Sequence, residues 1–306
     1  MAQSRRTVLI TGAAGNLGQA VAQAFAAQGD NLVLVDLKTE ALAQAFGAET
    51  PARLFAAANL LDAAQAQAVV GAALQRFGRI DVLCNIAGGF RMGEAVHETS
   101  EKTWNFLFDL NVRTVLHMAQ AAVPAMLSAG GGKIVNVGAF SAQRGLARMG
   151  AYTASKASVI RLTEAMAGEL REQNIYVNCV LPTIIDTPQN RADMPGADPG
   201  KWVAPADLAS VIAFLASDAA REVHGAAVPV TGLSYRARRR RAGGEGSSAG
   251  HETGVAARRA ELPRLTSFLP RRALTPPVRR CDRRPARRPF RPASRADRAG
   301  SRPPRR

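Results

Sequence analysis

The chain lacks the features that mark several large protein classes. Its 306 residues hold three cysteines, Cys84, Cys179 and Cys281, odd in number and far apart, with no CxxC pair. That spacing argues against a disulfide framework or thiol chemistry and points to a reducing, cytoplasmic setting. No apolar run approaches the ~20 residues that cross a bilayer, so no membrane partner is expected. Ser4-Arg5-Arg6 before Thr7-Val8-Leu9-Ile10 carries a trace of a twin-arginine export signal, but Thr11-Gly12 and Gly15 interrupt the apolar stretch at once. His97, His117 and His224 are scattered without HExxH or other ligand-like spacing, so no metal site is expected. Aromatic residues make up 5% of the chain, so the 47% hydrophobic content that can build a sizeable core is mainly aliphatic.

Lysine and acids are scarce in one region only. The formal charge of +16 suggests a nucleic-acid or membrane partner until it is divided along the chain. Residues 1–234 carry 18 basic against 19 acidic side chains, whereas residues 235–306 carry 22 arginines, no lysine and five acids. This second stretch is Arg, Pro, Gly, Ser and Ala with almost no aliphatic periodicity, and it cannot bury enough apolar surface to fold. The expected organisation is therefore one domain over 1–234 and a disordered Arg/Pro-rich tail over 235–306. Without aromatic interleaving or RGG-like repeats, the tail reads as a solvated extension. Nucleic-acid or polyanion binding through its arginines is the alternative.

From residue 7 to 230, short Val/Ile/Leu runs alternate with longer Ala-rich amphipathic segments. That rhythm predicts an α/β fold, a doubly wound parallel sheet of about seven strands covered by helices. Strands are expected near 7–10, 31–35, 53–57, 80–84, 132–137, 175–180 and 226–230. Helices are expected near 16–28, 39–46, 62–76, 101–128, 151–173 and 205–217. The segment 182–204 breaks the rhythm with four prolines and follows a strand end, the position of a binding loop or lid.

Thr11-Gly12-Ala13-Ala14-Gly15-Asn16-Leu17-Gly18 joins the first strand to the first helix. Gly12 permits a tight turn, Gly15 lets backbone approach a pyrophosphate, and Gly18 lets helix and strand pack closely. The helix N-terminus, from Gly15 through Asn16 and Leu17, would face the phosphates with free N–H groups. Asp36 ends the second strand, where a carboxylate binds ribose hydroxyls and repels a 2′-phosphate. NAD(H) is thereby favoured, and Lys38 leaves NADP(H) possible. Asn59-Leu60 would lie beside the adenine, and Asn85-Ile86-Ala87-Gly88 would flank the cofactor; either could be a plain turn.

Tyr152 and Lys156, four residues apart, share one helix face. A phenol of ordinary pKa ~10 beside a positive charge is shifted down toward a working general acid. The Gly-rich turn, Asn85-Ile86-Ala87-Gly88, Asn111 and Tyr152-xxx-Lys156, in this order and spacing, resemble the short-chain dehydrogenase/reductase family over about residues 5–234. The resemblance implies that Tyr152 is the general acid/base, that Lys156 lowers its pKa and holds the nicotinamide ribose, and that Asn111 supports a water-linked proton relay. Pro182-Thr183-Ile184-Ile185-Asp186-Thr187 resembles the family's Pro-Gly loop, making Ile184 and Thr187 candidates for the nicotinamide carboxamide and Pro182 a further cofactor-binding candidate. A small-molecule substrate and a homodimer or homotetramer, formed through the helices near 101–128 and 151–173, are implied as well.

The chain departs from the family at Ala139, which stands where a catalytic Ser is usual, thirteen residues before the Tyr. Losing one such transition-state donor typically costs ~3 kcal/mol. Ser141 could swing in, the protein could be a catalytically weak cofactor-binding or regulatory relative, or the substrate could do without the donor. Ala139 and the segment Leu181 to Pro195, with Trp202 following, also resemble dihydropteridine reductases, which implies a quinonoid pterin as the alternative to a carbonyl, alcohol or imine-like substrate. Trp202 could close over a planar substrate or simply pack, and Trp104 reads as packing. Arg144, Arg148 and Arg191 could meet an anionic substrate or be solvated loop arginines.

Overall fold

The structure, a computed structural model, describes residues 5–234, so the expected tail lies outside the described residues. The described residues all fall within one compact unit. Seven strands form one sheet: β1 (Thr7–Thr11), β2 (Asn31–Asp36), β3 (Arg53–Ala57), β4 (Val82–Asn85), β5 (Gly132–Val137), β6 (Ile175–Pro182) and β7 (Ala227–Val230). Every pairing is parallel, in the order β3-β2-β1-β4-β5-β6-β7. The central strands are near-continuous apolar runs because helices cover both faces, and all five residues of β1 are buried.

The helices are α1 (Asn16–Ala27), α2 (Thr39–Phe46), α3 (Ala63–Phe77), α4 (Glu101–Phe108), α5 (Thr114–Ser128), α6 (Gly150–Leu170), α7 (Pro188–Asp193) and α8 (Pro205–Leu215), and all but the short α7 bury residues in the domain. On one face Val21 and Phe25 of α1 pack with Leu208 and Ile212 of α8; on the other Val69 of α3 packs with Met118 and Met126 of α5. Local chemistry sets the ends. Asp62 accepts the Ala64 N–H to start α3, and Gly78, in the left-handed conformation at φ 77°, stops it.

Strand order reverses between β1 and β4, so the loops leaving these two strands diverge to opposite faces and open a groove above their C-terminal ends. Two differences from the sequence reading affect what lines that groove. The single helix expected over 101–128 is interrupted by a π-helical turn, Asp109–Arg113, which separates α4 from α5. Amphipathic periodicity does not register one wide turn, and such turns mark functional positions. The irregular 182–204 segment contains α7, begun by Thr187, whose hydroxyl accepts the Asn190 N–H, with Pro188 in the first helical position.

Candidate active site

At the cofactor end the Gly-rich turn takes the form its glycines allow. Gly12 has φ 61°, and a Cβ there would fall 2.9 Å from Ala87 Cα in the loop after β4. A Cβ on Gly18 would strike Gly12 O and lie 2.7 Å from Ala13 Cα, so α1 sits on its strand at glycine-only distance. Gly15 precedes α1 with no side-chain cap, and Gln19 is the first residue whose N–H returns to the helix, at Gly15 O. The N–H groups of Asn16, Leu17 and Gly18 are therefore left as donors at the positive end of the helix. The side chain of Leu17 is buried in the core, so only its backbone can face a ligand. Asp36 is fixed at the end of β2: its Oδ2 accepts the Ala14 N–H at 2.9 Å and its Oδ1 the Leu37 N–H at 2.8 Å. Each oxygen keeps acceptor capacity for a ribose hydroxyl. This donor set and glycine cradle fit a dinucleotide.

Two expected contacts look different in three dimensions. Asn85 closes β4 with 3% exposure and donates through Nδ2 to Asn136 Oδ1 at 2.8 Å, and Asn136 donates onward to Thr163 at 2.9 Å. The side chain of Asn85 thus ties adjacent strands, and the groove side of its loop is formed by Ala87 and Gly88. Beside β3, Asn59 is exposed and binds its own turn, accepting the Leu61 N–H, while the side chain of Leu60 is buried and its carbonyl accepts from His117 Nδ1–H at 2.8 Å. Thr11, passed over in the sequence, links the two cofactor loops: its buried hydroxyl accepts the N–H groups of Ile86 at 3.0 Å and Ala87 at 3.1 Å.

At the other end of the groove, Lys156 of α6 and Asn111 of the π-helical turn come together, with Tyr152 one turn before Lys156 on α6. Lys156 is buried and donates from Nζ to Val137 O, the last carbonyl of β5, at 2.8 Å. A Cβ at Gly88 would lie 3.0 Å from Asn111 Oδ1 and 3.1 Å from Lys156 Nζ, so the bare glycine gives both groups their space. The π-helical turn carries Asn111 to this point. Its Oδ1 accepts the Gly89 N–H at 2.8 Å, and its Nδ2 donates to Gly89 O at 3.1 Å and to Ser155 Oγ at 3.0 Å. Ser155 in turn donates to Tyr152 O at 2.8 Å. Gly89 and Ser155 carried no sequence signal, because their part is to hold Asn111 across segments far apart in the chain.

The expected lowering of the Tyr152 pKa by Lys156 does not hold in the free protein. Burial pushes Tyr152 up to about 12 and pulls Lys156 down to about 8. Lys156 directs its ammonium at Val137 O, and the Tyr152 ring is shielded by Phe90, edge-on at 4.8 Å between centroids. Ala139 is buried and belongs to the same apolar cluster as Tyr152, while Ser141 lies in the following 3₁₀ turn, Phe140–Gln143. In the Pro182 to Thr187 loop, Ile184 O accepts the Val203 N–H at 2.9 Å and Thr187 caps α7. Trp202 is buried at 8% exposure and packs, leaving the pterin resemblance without a stacking platform there.

Residues 6–197 match the model of the short chain dehydrogenase family. The chain belongs to this family. A D-threitol dehydrogenase of Mycolicibacterium smegmatis is 35% identical over 239 residues, covering 74% of this chain and 92% of that protein. A 2-dehydro-3-deoxy-D-gluconate 5-dehydrogenase of Escherichia coli is 35% identical over 242 residues, covering 74% and 94%. The 3-ketoacyl-(acyl-carrier-protein) reductase from Brucella melitensis, solved with NADH, superposes with a TM-score of 0.68 at 30% identity, covering 75% of this chain and 98% of that one. The protein is a nicotinamide-dependent oxidoreductase of alcohol and carbonyl groups, of a family whose structures hold either NAD or NADP forms. Among the described residues there is no group of three or more metal-ligating side chains, and no helix is long and apolar enough to cross a membrane.

Proposed function

We propose that Tyr152 is the proton donor and acceptor of the reaction, supported by Lys156 and Asn111, on a small alcohol or carbonyl substrate with NAD(H) as the preferred cofactor. The observation that carries this reading is the convergence of Asn111 and Lys156 on the single point kept open by Gly88, one helical turn from Tyr152. A nicotinamide held in this groove would supply or accept the hydride. In reduction, Tyr152 gives its phenolic proton to the substrate oxygen; its high pKa in the free protein keeps that proton available at neutral pH. Lys156, still mostly cationic at pH 7 with a pKa of about 8, holds positive charge near the phenol as it becomes phenolate. Asn111 fixes the Gly89 turn and orders the route by which the proton is replaced. In oxidation the same proton moves in reverse.

The preference for NAD(H) rests on Asp36, whose carboxylate at the end of β2 would repel a 2′-phosphate. The cofactor cradle is assigned to Gly12, Gly15, Asn16, Leu17, Gly18, Asp36, Asn59, Leu60, Ala87 and Gly88, with Pro182, Ile184 and Thr187 toward the nicotinamide. Asn85 acts as a positioning residue. The catalytic domain is assigned to 1–234, with 235–306 dispensable for folding and cofactor binding, and the setting is cytoplasmic. A homo-oligomer is supported by the exposed Trp104, stacked on Phe108 at 4.4 Å on α4, and by the exposed Leu116 on α5.

The substrates named for relatives differ, D-threitol for one and 2-dehydro-3-deoxy-D-gluconate for another, so both neutral and acidic ketones belong in the assay. NADH oxidation over such a panel should show turnover that Tyr152→Phe lowers by about 10³-fold, with NADH affinity unchanged. Full retention of rate in Tyr152→Phe would remove Tyr152 from the proton transfer.

A further inference from the structure

We infer that the cleft beside Tyr152 selects a substrate bearing a carboxylate, with Arg148 and Arg91 as the residues that recognise it; this rests on the assignment of Tyr152 as the proton donor. The cleft is ≈220 Å³, small enough to suit a compact substrate, and Tyr152, Arg91, Met92, Glu94, Thr103 and Arg148 are among the residues lining it. Of the three arginines the sequence offered for an anion, the structure separates one. Arg191 is paired with Asp186 through two bonds of 2.6 and 2.7 Å, and Arg144 does not line the cleft. Arg148 does.

Arg148 is held in place at some conformational expense. Its φ of 60° is left-handed, a region costly for a side chain of this kind. Two bonds maintain it: Gly93 N–H to Arg148 O at 2.8 Å and Arg148 Nη1 to Gly93 O at 2.9 Å. One guanidinium nitrogen is thereby anchored and the remaining N–H groups stay available. In the same lining, the Arg91 guanidinium lies 3.8 Å from the centre of the Phe106 ring, a stacking contact that restrains its plane and leaves its edge for a ligand. Among the described residues neither arginine has a carboxylate within 4.0 Å. Glu94, the acid in the lining, is engaged elsewhere: it accepts from Ser100 N–H at 3.1 Å and from the hydroxyls of Ser100 and Thr103 at the start of α4. The cleft thus presents two planar cations, neither in an ion pair, against one anion; Glu94 is held below its ordinary range first by its bonds to Thr103 and Ser100 and last by the charge of Arg91. Planar guanidinium forks match a carboxylate, and Tyr152 lines the same cleft, so a compact substrate held by them lies beside the phenol.

The test is calorimetric titration of the full-chain protein preloaded with NADH, using four- to six-carbon oxo and hydroxy acids and the primary amide of each. Initial rates are measured on the same pairs and on neutral ketones. At least one acid should bind about tenfold or more tightly than its amide, and that ratio should fall as salt rises. Arg148→Gln and Arg91→Gln should each bring the ratio toward one by raising KM more than they lower kcat, while NADH affinity and thermal midpoint remain those of the wild type. Arg148→Lys, which keeps the charge but not the fork, should retain part of the ratio and covers the case in which the Gln variant misfolds. A wild-type ratio of one, or a ratio that survives loss of both arginines, overturns the inference. Turnover of neutral ketones with a ratio of one would sink the carboxylate alone. Acid-selective binding without turnover of any ketone would leave the carboxylate site standing and count against the assignment of Tyr152.

Discussion

The two ends of the groove above β1 and β4 are made of different material. The proposed cofactor end is mostly backbone: three glycines, the N–H groups that open α1, and Asp36 held by Ala14 and Leu37. The proposed reaction end is mostly side chain, drawn from the β4 loop, the π-helical turn, the end of β5 and the first turns of α6. A backbone site is specified by where side chains are missing, and its tolerance to change is low because every added carbon meets main chain. A side-chain site is specified by chemistry, and its members carry burial costs that the fold has to offset.

Lys156 shows that cost most directly and gives the largest expected effect. Its folded pKa is about 8 against an ordinary 10.5, because burial disfavours the charged form. Between those values the unfolded chain holds the proton more tightly than the native state, so this residue makes stability rise with pH, and its full penalty applies below about pH 8. Lys156→Met should therefore reduce kcat by about 10³-fold and yet be more stable than the wild type at pH 7, by up to about 3 kcal/mol. The stability gap should close by about pH 10.5. Urea melts at several pH values check this; a less stable variant at pH 7 would mean that the Val137 bond outweighs the burial of the charge.

Gly18→Ala tests the backbone end. The added carbon meets Gly12 O and the Ala13 backbone, neither of which can rotate away, so a loss of about 1–3 kcal/mol in stability is expected. NADH affinity, read by fluorescence titration, should fall with it. Asp36→Asn removes the repelling charge while an amide oxygen can still accept from Ala14. The ratio of NADPH to NADH affinity should rise about tenfold, and an unchanged ratio would place cofactor choice elsewhere.

The smallest effect is expected where the two materials meet. In Gly88→Ala the new carbon lies 3.0 and 3.1 Å from Asn111 Oδ1 and Lys156 Nζ, both side-chain ends that can yield by a few tenths of an ångström. A loss of roughly several-fold in kcat with NADH affinity nearly intact is expected. A larger loss of affinity than of kcat would assign Gly88 to the cofactor end instead.

The same contrast explains how much could be read from the chain. The strand and helix order, the glycine turn and Asp36 were legible because each depends on residues close in sequence. Apolar periodicity, a positive φ at Gly12 and the end of a strand are local facts. The candidate catalytic trio was legible through its resemblance to a family, and the structure brings Asn111 and Lys156 to one point. What could not be read was how they are held. Thr11, Gly89 and Ser155 matter through partners 44 to 76 positions away or around 22, as at Asn111, and no local pattern marks them. The π-helical turn was hidden inside a helical pattern, Asn85 and Asn136 form a pair only across adjacent strands, and Arg91 gains its stacking partner only when α4 packs beneath its loop.

By itself the sequence determined the parallel α/β plan and the nucleotide turn, because burial on two sheet faces and freedom from a Cβ are properties of residue type. It also carried Tyr152 and Lys156 on one helix face. Tertiary structure decided their electrostatics and their company. Lys156 has a pKa of about 8 and Tyr152 about 12 because packing takes Lys156 wholly and Tyr152 partly out of water, and no spacing along a chain contains that quantity. Of three candidate arginines, Arg148 alone reaches the cleft, because the loops after β4 and before α6 are bonded together at Gly93.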